Sequence, residues 1–76
     1  MDVVELDLHG IKHEDVRNKV IRLIEENWQT GNELEIITGR SVRMKGIVLN
    51  VLDEYKLSYN IGRMTNLNDG CIITWT

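Results

Sequence analysis

A histidine and an aspartate lie at the end of the first apolar segment of this 76-residue chain. The segment reads Leu6, Asp7, Leu8, His9 and Gly10, and its glycine permits a tight turn. Because imidazole exchanges protons near neutral pH, His9 is a candidate general acid or base. Asp7 would share a strand face with His9 and could orient it. The alternative is structural: His9 caps the turn and Asp7 is a solvated carboxylate.

A second apolar segment ends in a glycine that is followed by basic residues. The residues suited to holding an anion are Thr38, Gly39, Arg40, Ser41, Arg43 and Lys45. No acidic residue occurs between Glu35 and Asp53, so these residues form a small basic patch on an acidic chain. A glycine turn at the start of a helix exposes backbone N–H groups to an anion. We predict that the Gly39 backbone and the Arg40 and Lys45 side chains contact a phosphate, the alternative being a tight turn with solvated arginines.

Cofactor chemistry finds little support in the sequence. Cys71 is the only cysteine, which excludes an intramolecular disulfide and a cysteine-based metal site and favours a reducing compartment. Asp7, His9 and His13 do not match the spacing of an established metal site, so we predict no cofactor, with a divalent cation left open. Cys71 alternates with Ile73 and is predicted to be a small core residue rather than a nucleophile.

Length and charge narrow the function classes further. A chain of 76 residues predicts one domain over residues 1–76 with little interior for a cavity, so we expect a surface site. The formal net charge of -3 argues against a protein that coats nucleic acid through bulk charge. No apolar run approaches the ~18 residues of a membrane span, and no signal peptide is apparent. We therefore predict a cytoplasmic protein without a membrane partner, and leave its oligomeric state and any protein partner open.

The first half of the chain predicts a strand, a helix and a second strand. Alternation of apolar and polar residues over 3–8 predicts a strand that ends at His9 or Gly10. An amphipathic helix of about four turns follows, from His13 to near Thr30. Its apolar face comprises Val16, Val20, Leu23, Ile24 and Trp28. The dense apolar run at 34–37 predicts a central strand or one covered on both sides.

The second half predicts a helix and two strands. Ser41 is predicted to cap a helix whose apolar stripe comprises Met44, Ile47, Val48, Val51, Leu52 and Tyr55. Residues 57–63 and 71–75 alternate and predict strands joined by a loop over 66–70. Trp28 and Tyr55 lie on apolar helix stripes and are predicted to be in the core. For Tyr59 and Trp75, packing and base stacking both stay open.

The βαβαββ order of these elements predicts a two-layer architecture. Strands joined by a helix run parallel through right-handed crossovers, and the last two strands form a hairpin or near-hairpin. Two helices suffice to cover only one face of a four-stranded sheet, so we predict a two-layer α/β sandwich. If the first two strands are neighbours, the two glycine turns lie side by side. Glu5 and Asp7 would lie on the open face of the sheet, towards water or a partner.

Three segments, in this order and at these separations, resemble the small MutS-related (Smr) domain. They read Leu-Asp-Leu-His-Gly at residues 6–10, Ile-Ile-Thr-Gly-Arg at 36–40 and Gly-Cys-Ile-Ile-Thr at 70–74. The resemblance runs from about Val4 to the C-terminus. It implies a fold similar to the C-terminal domain of bacterial translation initiation factor three, a βαβαββ sandwich. The four-stranded mixed sheet of that fold has its strands in the order first, second, fourth, third.

The resemblance also implies a function, because Smr domains bind nucleic acid and several are endonucleases that cut DNA or RNA. The residues that match the family's motifs are Asp7, His9, Gly10, Thr38, Gly39 and Arg40. Ser41 stands where the second motif of the family usually has a further glycine. The resemblance thus predicts a catalytic first turn and a nucleic-acid-binding second turn.

Two functions from different classes follow. The leading hypothesis is a nucleic-acid-binding Smr-type domain with endonuclease activity as an open addition, in which His9 transfers protons, Asp7 orients it and Arg40 stabilises the phosphate. RNA is slightly favoured over DNA, because RNA carries its own 2′-OH nucleophile and no metal site is predicted. The alternative is a non-catalytic adaptor that binds a protein through the open sheet face, which the negative net charge and Ser41 favour.

Overall fold

The computed structural model describes residues 2–62 and 70–76. Its six elements follow the predicted order of strand, helix, strand, helix, strand, strand. The strands are β1 (Val3–Asp7), β2 (Glu33–Ile37), β3 (Tyr59–Gly62) and β4 (Cys71–Trp75). The helices are α1 (His13–Glu26) and α2 (Val42–Glu54). No helix within the described residues is long and apolar enough to cross a membrane.

The four strands form one mixed sheet in the order β1-β2-β4-β3. β1 pairs with β2 in parallel, with Asp7 opposite Ile37, and β4 runs antiparallel to both β2 and β3. The predicted strand order and mixed α/β sheet are therefore confirmed. β2 lies between β1 and β4, which agrees with its dense apolar sequence.

The helices cover one face of this sheet. Side chains alternate along each strand, so every second residue of β2 and β4 points into the core while its neighbours point to the open face. The buried apolar residues of the core cluster are Leu8, Val16, Val20, Leu23, Ile24, Leu34, Ile36, Met44, Val48, Val51, Leu52 and Ile72. Glu5 and Asp7 are exposed, as predicted for the open face.

The end of α1 differs from its predicted position. The side-chain amide of Asn27 donates to the Leu23 carbonyl at 2.8 Å, and Asn27 is the C-cap of the helix. Trp28 therefore lies beyond the helix and is 47% exposed, so its predicted place in the core is wrong. Tyr55, the C-cap of α2, is half-buried and packs against the core.

The remaining boundaries differ slightly from those predicted. β1 ends at Asp7, and β3 begins at Tyr59 rather than at residue 57. Arg63 and the predicted loop residues 66–69 lie outside the described part of the chain. Tyr59 and Trp75 are 38% and 37% exposed, and Trp75 lies opposite Glu33, on the open face of the sheet. Cys71 is buried, as predicted, and it lies opposite Ile37, on the face of the sheet that the helices do not cover.

Candidate functional site

The two glycine turns begin at the same edge of the sheet. Because β1 and β2 are parallel neighbours, their carboxyl ends lie together. The ladder continues one step beyond the strands, since the Leu8 N–H donates to the Ile37 carbonyl at 2.9 Å. The turn that contains His9 and Gly10 therefore starts beside the turn that contains Gly39.

The first turn is held by the side chain of Asp7. One carboxylate oxygen of Asp7 accepts the backbone N–H of His9 at 2.8 Å, and the Ile11 N–H donates to the Leu8 carbonyl at 3.0 Å. Gly10 adopts the left-handed region, with φ of 77°, which other residues rarely tolerate. The His9 side chain is exposed. Asp7 thus positions His9 through its backbone.

The second turn is held by the carbonyl of Gly70, the residue before β4. This oxygen accepts the Thr38 N–H at 2.8 Å and the Gly39 N–H at 3.1 Å, and it lies 3.3 Å from the Thr38 hydroxyl. The Gly39 N–H, predicted to contact a phosphate, therefore already has an internal acceptor. Thr38 is buried, so it shapes the turn. The motif segment at 70–74 included Gly70, but its role could not be read from the sequence.

The start of α2 has the groups that an anion needs. The Ser41 hydroxyl accepts the Met44 N–H at 3.1 Å, which confirms Ser41 as the N-cap. The Val42 and Arg43 N–H groups lie in the first helical turn, where no carbonyl of the helix can accept them. α2 has no acidic residue in its first turn. These N–H groups, together with basic side chains nearby, form the strongest candidate anion site.

The basic side chains of this region lie close together in the chain. Arg40 and Arg43 are exposed and Lys45 is half-buried, so at least the two guanidinium groups reach solvent. Guanidinium forms paired hydrogen bonds with phosphate oxygens more readily than ammonium does. Arg40 and Arg43 are therefore the basic side chains best placed to contact an anion in this region.

The start of α1 is less suited to an anion. Its N-cap, Lys12, makes no side-chain capping bond, and Glu14 and Asp15 occupy the first turn. Carboxylates at this position already compensate the positive end of the helix dipole and repel a second anion. His13, the first helical residue, is half-buried. The two turns are neighbours, but only the start of α2 favours a phosphate.

Metal and thiol chemistry receive no positive support from the arrangement. Among residues 2–62 and 70–76, no three His, Cys, Asp or Glu side chains are placed to hold a metal ion, so Asp7, His9 and His13 do not form such a group. Burial raises the pKa of the Cys71 thiol, and the charges of nearby glutamates raise it further. Cys71 is therefore held as the neutral thiol and is a poor nucleophile.

The open face of the sheet carries a group of glutamates. Glu5 lies opposite Glu35 in the register of β1 with β2, and Glu33 shares the face of Glu35. A hydrogen bond with Glu33, burial, and repulsion from Glu33 and Glu5 raise the pKa of the Glu35 carboxyl. Trp75 lies opposite Glu33, and Ile73 lies opposite Glu35. The open face is therefore acidic and partly apolar.

No protein-family model, curated protein or solved structure matches this chain. The strand order agrees with the order that the Smr resemblance implies, but strand order alone defines a fold and not a family. Membership of the Smr family stays a prediction that rests on the three sequence segments.

Removal of the Asp7 carboxylate tests its role in the first turn. We expect Asp7→Ala to destabilise the fold by about 0.5 to 1 kcal/mol, because the His9 N–H loses its acceptor. Asp7→Asn keeps an acceptor oxygen and should retain most of that stability. Urea unfolding monitored by circular dichroism measures both variants. Equal destabilisation by the two substitutions would show that the charge of Asp7 matters and not its hydrogen bond.

The glutamates of the open face predict a stability that depends on pH. Because the folded state raises the pKa of Glu35, it binds this proton more tightly than the unfolded chain does, so ionisation of Glu35 destabilises the fold. We expect Glu35→Gln to raise the unfolding midpoint at pH 7, and the gain to vanish as the pH falls through the raised pKa, which lies above 4.5. Glu26→Gln, on the helical side, is the control and should give no such gain. A gain for Glu35→Gln that grows towards low pH would contradict this account.

Proposed function

We propose that this protein binds nucleic acid by holding backbone phosphates at the start of α2. The observation that carries the proposal is the composition of that helix start. Its first turn has N–H groups without intrahelical acceptors, contains no acidic residue, and is flanked by Arg40 and Arg43, which are exposed. Helix N-termini bind phosphate through such N–H groups and through the helix dipole.

The neighbouring first turn extends the proposed contact surface. Gly10 and Lys12 follow His9 at the same sheet edge, and both are exposed, so a strand of nucleic acid that contacts Arg40 would pass close to them. The net charge of -3 limits this surface to a short stretch of backbone. We expect a footprint of a few phosphates and an affinity that falls as salt rises.

RNA is the proposed nucleic acid. The resemblance to the Smr domain suggests, in addition, that the protein cleaves the RNA that it binds. RNA supplies its own 2′-OH nucleophile, so cleavage needs groups that transfer protons and stabilise phosphate charge. His9 is exposed beside the proposed phosphate site and is the candidate for one proton transfer. His13 is the only other histidine, and it is half-buried. The proposal of binding is supported by the arrangement at the start of α2, whereas the proposal of cleavage is supported only by the resemblance to the Smr domain.

Arg40→Ala tests the proposed phosphate contact. We expect weaker binding to labelled single-stranded RNA at low salt, because one charge-assisted contact is lost. The slope of log affinity against log salt concentration should fall by about 0.7 for each phosphate contact removed. Fluorescence anisotropy at several salt concentrations measures both quantities.

Arg22→Ala is the matched control, since it removes the same charge from the middle of α1. Arg22 pairs with Glu26 at 3.4 Å and lies away from both glycine turns. Equal loss of affinity in the two variants would mean that the overall charge governs binding. Absence of binding to single-stranded or double-stranded RNA and DNA at low salt would remove the proposal. The same nucleic acids, incubated with the wild type and with His9→Ala, with and without divalent cation, separate cleavage from binding alone.

A second candidate function is a protein-binding adaptor, and the open sheet face is the observation that favours it. Glu5, Glu33 and Glu35 share this face with Ile73 and Trp75, and a hydrogen bond with Glu33, burial, and repulsion from Glu33 and Glu5 raise the pKa of Glu35. A basic partner with apolar side chains would relieve that repulsion and cover the apolar residues. The adaptor function requires that Glu35→Gln weakens partner binding, whereas the nucleic-acid function requires that it does not weaken RNA binding.

A further inference from the structure

A pocket at the C-terminal ends of α1 and α2 is lined by two aromatic rings and a carboxylate. It has a volume of about 330 Å³ and is lined by Glu25, Trp28 and Tyr55. Trp28 follows the C-cap of α1, and Tyr55 is the C-cap of α2, so the pocket lies where both helices end. The proposed phosphate site lies where they begin, about 20 Å away for helices of this length. The two sites are therefore independent.

The two rings contact each other in an edge-to-face arrangement. Their centroids are 6.0 Å apart and their planes are inclined by 61°. Tyr55 packs against the core, which fixes its ring, whereas Trp28 is 47% exposed. Aromatic faces carry negative potential and attract cations that sit over them. Two inclined rings that line one pocket can therefore contact the same cation.

Negative charge predominates around the pocket, and Arg17, a cation that also acts on Tyr55, is paired with Glu54 at 2.6 Å. The Tyr55 hydroxyl donates to a Glu25 carboxylate oxygen at 3.4 Å. Burial raises the pKa of the Tyr55 phenol, and the Glu25 charge raises it further, so the phenol keeps its proton at neutral pH and Glu25 supplies the negative charge. Neither helix has a basic residue in its last turn. No such residue therefore neutralises the negative ends of the two helix dipoles. The Glu25 charge and the negative helix ends therefore favour a cation over an anion at this pocket.

We propose that Glu25, Trp28 and Tyr55 bind a trimethylammonium group, carried by a small molecule such as choline or by a trimethylated lysine side chain. Such a group is weakly hydrated, so its methyl groups can leave water for the aromatic faces while its charge interacts with the rings and with Glu25. An unmethylated ammonium is strongly hydrated and gains less. Phosphocholine carries both a phosphate and a trimethylammonium group. One molecule cannot occupy this pocket and the start of α2 together, because the two sites are about 20 Å apart.

A titration of the full chain with choline tests the proposal. The two tryptophans, Trp28 and Trp75, each give an indole N–H signal in NMR spectra, and Trp75→Phe assigns them. We expect a saturable shift of the Trp28 signal and none of the Trp75 signal. The control ligand is the uncharged alcohol that has the shape of choline, with carbon in place of nitrogen. Sodium chloride is added to the samples with the alcohol to keep the ionic strength equal. No saturable Trp28 shift, or an equal shift with the alcohol, overturns the proposal.

Substitutions separate the pocket from general charge effects. We expect Glu25→Gln to weaken choline binding about fivefold, the size of one cation contact. Glu26→Gln removes the next carboxylate of α1, which does not line the pocket, and should leave the affinity unchanged. Trp28→Ala, followed through the Tyr55 backbone amide, should abolish binding, and a dispersed amide spectrum shows that it folds. Equal weakening by Glu25→Gln and Glu26→Gln overturns the pocket assignment.

A peptide series identifies the source of the cation. One peptide contains trimethyllysine, and its partner has the same sequence with unmodified lysine. Tighter binding of the trimethyllysine peptide than of choline assigns the pocket to a modified protein, whereas equal affinities assign it to a small cation. Equal binding of the two peptides contradicts the proposed preference for a methylated group.

Discussion

The parallel pairing of β1 with β2 determines where each residue of the proposed phosphate site lies. The register sets Leu6 opposite Ile36 and Asp7 opposite Ile37, and Leu8 extends the ladder beyond the strand ends. Because side chains alternate, a slip of one residue in β1 would turn Leu6 to the open face and Glu5 into the core. The apolar core therefore enforces the same register that brings the two glycine turns, and the helices that follow them, to one edge.

Local patterns predicted the elements, since each strand alternates and each helix has one apolar stripe, whereas the strand order was implied by the resemblance to the Smr domain. Ser41 was predictable because N-capping involves residues within one turn. The acceptor of the Gly39 N–H was not predictable, since Gly70 reaches it only through the pairing of β2 with β4. Trp28 continues the apolar spacing of α1, but the Asn27 side chain binds the last turn and ends the helix first. The spacing of apolar residues carries no information about contacts between distant parts of the chain, or about side chains that end a helix early.

Charged residues of opposite sign lie on separate surfaces of the domain. The net charge of -3 does not show this separation. The start of α2 is basic, the open sheet face carries glutamates, and the pocket at the helix ends combines aromatic rings with Glu25. Arg17 and Glu54 join the two helices through paired hydrogen bonds of 2.6 Å, which raise the pKa of Arg17 and lower that of Glu54. Anionic and cationic ligands would therefore meet separate ends of one small domain.

The most direct test of the phosphate site is a map of backbone amide shifts on addition of single-stranded RNA at low salt. The Val42 and Arg43 N–H groups lie in the first turn of α2, where no carbonyl of the helix accepts them, so a bound phosphate must alter their signals. We expect these two amides to shift most and to saturate together. Largest shifts at Glu33 and Glu35 on the open sheet face, or no saturable shift at the start of α2, would contradict this prediction.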